Sequence, residues 1–150
     1  MSRLFERTSS YVVILLSFLF VAGCAGTFHG IKVRTQSPSK EEAFRKLSLA
    51  LTADGYEPGS VNAEKLQFMT QWRALKQNEQ TEQERKSGGV SLAQIELRVE
   101  SRGSLYDIFL TPMIQSVEGE ERVTEVGHPL REKWQRIINE LVQREAREED

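Results

Sequence analysis

The chain has 150 residues but only one cysteine, Cys24, and two histidines, His29 and His128. One cysteine closes no intrachain disulfide, and neither zinc nor an iron–sulfur cluster finds enough sulfur or imidazole partners. No His-x-x-x-His, Gly-x-Ser-x-Gly or Gly-x-x-x-x-Gly-Lys pattern occurs, so the usual signatures of metalloproteases, serine hydrolases and phosphate-cradling loops are missing. Charge of one sign is lacking too. The net charge is −2 and basic residues form no sustained stripe, which argues against nucleic acid as a partner. No segment repeats at a fixed period, which excludes a solenoid. No apolar run reaches the roughly 20 residues that a bilayer-spanning helix needs. What remains, 28% charged and 39% hydrophobic, is the composition of one soluble globular domain.

The apolar run that is present has a particular setting. "MSRLFERTSS" opens with Arg3 and Arg7 against Glu6, and Tyr11–Ala22 then runs for twelve residues with only Ser17 interrupting it. A positive start, an apolar stretch of this length and small residues afterwards are the parts of a secretory signal, which predicts that residues 1–23 are removed. The alternatives are an N-terminal helix buried in a core and a retained signal anchor.

Val21-Ala22-Gly23-Cys24 resembles the lipobox of bacterial lipoproteins: an aliphatic residue, a small one, Gly or Ala, then the acceptor cysteine. The resemblance implies cleavage before Cys24, a diacylglycerol thioether on its sulfur and, commonly, acylation of the new amino group by a palmitate-type chain. Small residues let an extended chain enter a narrow protease cleft, and a thiolate is the nucleophile able to take the lipid. Two or more acyl chains give stable anchoring. In a Gram-negative envelope, the resemblance further implies that Ala25, standing where aspartate typically retains a lipoprotein at the inner membrane, sends the protein to the outer membrane, facing the periplasm.

Behind Cys24 the sequence divides into a lipidated N-terminus and tether at 24–38, one domain at 39–145 and a charged tail at 146–150. The tether holds a candidate strand at Ile31–Arg34. Ser39 with Glu42 forms a capping box, and Ala43, Phe44, Leu47, Ala50 and Leu51 follow at helical spacing. Gly55 suits the left-handed residue that ends a helix, with Tyr56 folding back. "LQFMTQWRAL" alternates, Leu66, Phe68, Thr70 and Trp72 on one face against Gln67, Met69, Gln71 and Arg73 on the other. Residues 76–89 contain no apolar side chain and read as a long exposed loop. Ala93, Ile95, Leu97 and Val99 alternate in a second strand. Tyr106, Ile108 and Leu110 share a face of a third, which Pro112 predicts to be an edge strand or to end there. A short fourth strand is indicated near Arg122–Val126. Pro129 opens a last helix with Leu130, Trp134, Ile137 and Leu141 in one stripe.

These elements predict an α+β fold, an antiparallel sheet of three to four strands with two amphipathic helices on one face, and Trp72, Trp134, Phe44 and Phe68 at the centre of the core. "AFRKLSLALTADGY" and "KLQFMTQWR", with Gly55-Tyr56 and Thr70-Gln71-Trp72, resemble helix-grip lipoprotein domains such as component C of the outer-membrane β-barrel assembly machine. That resemblance spans roughly residues 40–75 and implies the same helix-on-sheet fold.

For chemistry the sequence offers little. Glu96 and Glu100 on an exposed strand face read as solvated charges, and Thr70 and Trp72 as packing beneath the helices. Met69, Gln71 and Arg73 are the candidate face for partner contact, and loop 76–89 is either a mobile connection or a segment ordered by a partner. No catalytic residue, cofactor or metal is expected. The function expected is that of a non-enzymatic interaction or assembly accessory module, held at the membrane by Cys24 and contacting envelope proteins. The alternative is a carrier that encloses a lipid or small apolar ligand between sheet and helices.

Overall fold

The computed structural model describes residues 28–89 and 91–148. The expected signal segment 1–23, the Val21-Ala22-Gly23-Cys24 motif and the last two residues of the expected tail lie outside them. Among the described residues, strand β1 (Ile31–Thr35) leads into helix α1 (Lys40–Ala53), then β2 (Pro58–Asn62), β3 (Gln67–Thr70) and β4 (Arg73–Ala74). A 3₁₀ turn (Gln77–Glu79) and a short helix α2 (Glu82–Lys86) precede the two long strands β5 (Leu92–Arg102) and β6 (Leu105–Gln115). Strand β7 (Glu121–Val123) and helix α3 (Pro129–Glu148) complete the order.

The strands form one seven-stranded antiparallel sheet, β1-β6-β5-β3-β2, with β4 also paired to β5 and β7 to β6. The expectation of three to four strands is therefore corrected. The strands it omitted are short: β2 is five residues rich in turn formers, and β4 has only two. Loop 76–89 is corrected as well, since it holds both the 3₁₀ turn and α2. Pro112 is not on an edge strand, because β6 lies between β5 on one side and β1 and β7 on the other. β1 pairs as far as Leu110 and β7 begins at Met113. Pro112 falls in the gap, and its carbonyl accepts from Thr124 N on that side. A strand residue aims its N–H and C=O the same way, so the missing donor faces the gap and breaks no ladder bond.

Helix α1 begins where the sequence predicts, with the Ser39 side chain accepting from Glu42 N at 3.3 Å. It ends as Gly55 takes φ +92° and Tyr56 N reaches back to Leu51 O, a left-handed stop of the kind glycine permits. Ala43, Phe44, Leu47 and Leu51 face inward from α1, and Leu130, Trp134 and Ile138 from α3. They meet Ala93, Ile95, Leu97 and Val99 of β5 and Ile108 and Leu110 of β6 in one cluster. The opposite face of the sheet, bearing Lys32, Arg34, Glu96, Arg98, Asp107 and Phe109 by register, carries no helix core.

Between β3 and β4 the register slips. Met69 stands opposite Glu96, and Arg73 opposite Ala93. The three residues 70–72 therefore oppose the two residues 94–95, a bulge of one residue. Thr70 supports it by accepting Ile95 N on its hydroxyl at 2.9 Å and Gln94 Nε2 on its carbonyl at 2.8 Å. One extra residue inverts the alternation. Arg73 turns to the helix side, and Trp72 joins Met69 and Gln94 around a groove on the open side. Trp72 is accordingly half-buried rather than central, whereas Trp134 is fully enclosed.

Candidate functional site

Two regions gather polar side chains, one inside the fold and one on the open face. The inner one centres on Glu79, whose side chain has no exposed surface. Arg73 donates to both its oxygens, each at 2.8 Å, and also reaches Asp54 Oδ2 at 2.9 Å. Lys133 of α3 bridges Glu79 at 2.8 Å and Asp54 at 2.7 Å, and Lys76 joins Asp54 at 2.7 Å. The Arg73 guanidinium lies 3.8 Å over the Tyr56 ring, a stacked cation–π contact in a sheltered site. Burial raises the Glu79 carboxyl, but the donors Arg73, Lys133 and Lys76 N outweigh it and hold the group down to about 2. Asp54 is likewise held low against the effect of burial by Lys133 and Lys76. Both acids stay charged, and every strong charge is matched. The cluster ties α1, β4, the 3₁₀ turn and α3 together; it leaves no poised acid or base. Three of its buried donors, Tyr56 Oη, Arg73 Nε and Trp134 Nε1, have no acceptor within hydrogen-bonding geometry.

His128 also serves the fold. Its Nδ1 accepts from Leu130 N at 3.2 Å, in the manner of a helix cap on α3, and its Nε2 meets Glu84 Oε1 of α2 at 3.2 Å. With both ring nitrogens engaged, neither is open to a substrate proton. His29 is exposed, and its carbonyl accepts from Arg131. Among the described residues no three His, Cys, Asp or Glu side chains gather as a metal site, and no helix is long and apolar enough to cross a membrane.

The expected contact residues Met69, Gln71 and Arg73 do not share one face. Met69 is half-buried on the open face, Gln71 is exposed at the bulge with Nε2 on Pro58 O at 3.2 Å, and Arg73 is inside. Sequence reading missed Glu79, a lone acid in a stretch without apolar residues. Its only signal is its spacing from Lys76, whose backbone N donates to it.

The open face joins charge to aromatic surface. Phe109 packs against Phe28 with ring centroids 5.1 Å apart, and Lys32 and Arg98 lie over its ring at 5.3 and 5.1 Å. Glu96 and Glu100 flank Arg98 at 3.6 and 2.7 Å. Beside them Asp107, with no exposed side-chain surface, binds Arg34 through two bonds of 2.7 and 3.1 Å. The bond from Arg34 keeps its carboxyl below the usual range. The groove at Met69, Trp72 and Gln94 has a volume of about 550 Å³.

The chain matches no protein-family model. No curated protein resembles it in sequence either. The likeness to lipoprotein signals and helix-grip domains therefore rests on the residues that carry it.

Proposed function

We propose that the chain is a lipid-anchored, periplasm-facing lipoprotein of the cell envelope whose folded module works through contact with other envelope components and not by catalysis. One observation carries this reading. The Val21-Ala22-Gly23-Cys24 motif closes a twelve-residue apolar run, and Phe28, already packed on the module, follows Cys24 after three residues. Anchoring confines such a module to a membrane surface and raises its effective concentration near partners there, so a weak interface suffices. The best-placed ionisable groups, Glu79, Asp54 and His128, are spent on internal bonds, which supports a contact role over a chemical one. The space between helices and sheet is occupied by Trp134, Leu47, Leu51, Ile95 and Leu110, each no more than 1% exposed. That filling favours a contact module over a carrier, which needs a cavity of several hundred Å³.

The experiment is labelling of growing cells with a fatty-acid analogue, together with crosslinking of the intact envelope. Wild type should take up label and Cys24→Ser should not; undiminished labelling of the variant would refute the anchor. Capture of an envelope protein supports the contact role, and co-purification of lipid alone, with no protein captured, would sink it.

A further inference from the structure

We propose that the open face of the sheet, at its β1 side, lies against the headgroups of the anionic bilayer that receives the acyl chains on Cys24. The inference rests on the reading of Cys24 as the lipidated residue. From Cys24 to Phe28 there are four Cα steps, a reach of about 14 Å for a fully extended chain. Phe28 packs edge-on against Phe109, whose register partners Lys32 and Arg98 share the open face with it. The Phe28 ring thus sits on the open side, within that reach of the anchored residue.

The charges are arranged to match. Around Asp107 stand Arg34 at 2.7 Å, Arg102 at 3.2 Å and Lys32 at 3.5 Å. The carboxylate has no exposed surface, whereas Lys32, Arg34 and Arg102 keep 40%, 48% and 59% of theirs. An approaching phosphate meets three cations and one covered acid, a local balance of three minus one, or +2. Strand β5, two strands in from β1, carries Glu96, Arg98, Glu100 and Arg102 on this face, two cations against two acids, or 0. The face is graded across the strands, from +2 on β1 with Lys32 and Arg34 to zero on β5, so an anionic surface attracts the β1 side first. Phe28, 38% exposed, adds apolar surface at the same place, the combination that favours the headgroup boundary. A second copy presented to the same patch would set +2 against +2.

The test uses the full, lipidated protein in vesicles. With Cys24 blocked by its lipid, Thr111→Cys on the open face and Asn139→Cys on the exposed side of α3 each supply one free thiol for a nitroxide. Access of a water-soluble nickel chelate to each label is compared on phosphatidylglycerol-containing and pure phosphatidylcholine vesicles. Access at position 111 should fall several-fold on phosphatidylglycerol, recover at high salt and recover also in Lys32→Glu/Arg102→Glu, while position 139 stays open throughout. Equal access at 111 and 139 on a lipidated protein overturns the proposal. Protection at 111 that is the same on both lipids and follows protein density assigns the face to a second copy and overturns it too. Two thiols labelled per chain show that Cys24 carries no lipid; the anchor then fails and the docking falls with it, a failure told apart from the others by that stoichiometry.

Discussion

Arg73 grips Glu79 through both terminal guanidinium nitrogens, each 2.8 Å from a different carboxylate oxygen, and the acid has no exposed side-chain surface. The pair joins a strand to a turn that contains no apolar residue. Removing one partner of a buried ion pair leaves a charge without water or counterion, a larger loss than the pair's own net worth.

Glu79→Gln should therefore lower unfolding free energy by about 3 kcal/mol, read from urea denaturation. Gln71→Ala, at an exposed position nearby, should stay within about 0.5 kcal/mol. Equal effects for the two would show that the Glu79 cluster contributes nothing particular to stability.

Acid should act through the same carboxylates. Glu79 sits at about 2 in the folded protein against an ordinary 4.5, and Asp54, Glu84 and Asp107 are lowered too. A folded value below the unfolded one gives stability that is complete above the unfolded value and drains as pH falls toward the folded one. The melting temperature should be insensitive to these groups above about pH 5 and should decline between pH 4.5 and 2. Glu79→Gln should start lower and decline less steeply across that window, and parallel curves would remove Glu79 from the account.

Tyr56 is buried, and its hydroxyl finds no acceptor within bonding geometry. Tyr56→Phe keeps the ring under Arg73 and deletes an unsatisfied polar group, so stability should hold or rise by up to about 1 kcal/mol. A loss above about 1 kcal/mol would mean that the hydroxyl bonds the Arg73 guanidinium after all.

The two tryptophans should part company. Trp134 has no exposed surface, and Trp134→Ala should cost about 3–5 kcal/mol. Trp72 is half-buried on the open face, and Trp72→Ala should cost about 1 kcal/mol. Acrylamide should quench the emission of Trp134→Phe, which retains Trp72, far more than that of Trp72→Phe. The reverse order would place Trp72 in the core.

The parts of this fold legible in the sequence are those encoded locally. Ser39 with Glu42 announces α1, Gly55 its end, and the alternation from Ala93 to Val99 the inner row of β5. The parts that were not legible depend on distant partners. Pro58–Asn62 is a strand because β3 offers it a ladder, although its own residues favour turns. Glu79 is buried because Arg73 and Lys133, 54 residues away in the second case, supply its charge match. Pro112 marks an edge by the general rule, yet here it marks a gap between two short strands. The lipobox-like pattern at Val21–Cys24 is local too but lies outside the described residues, while the charge gradient of the open face emerges only when β1 and the β5–β6 hairpin meet around Asp107.

The bulge at residues 70–72 has a consequence in arithmetic. Inside and outside at this edge of the sheet are decided by how many residues of β5 stand opposite the three between Met69 and Arg73. Three against three, without the bulge, would set Arg73 opposite Leu92, turn it toward solvent and Trp72 toward the helices, and strand Glu79 in the interior without its partner. Loss of Gln71 would instead give two against two and leave Arg73 opposite Ala93, still on the helix side with Glu79. Residue 71 is thus nearly free in identity and even in presence, whereas the pairing of Arg73 with Ala93 is not. Register here carries information that side-chain chemistry does not.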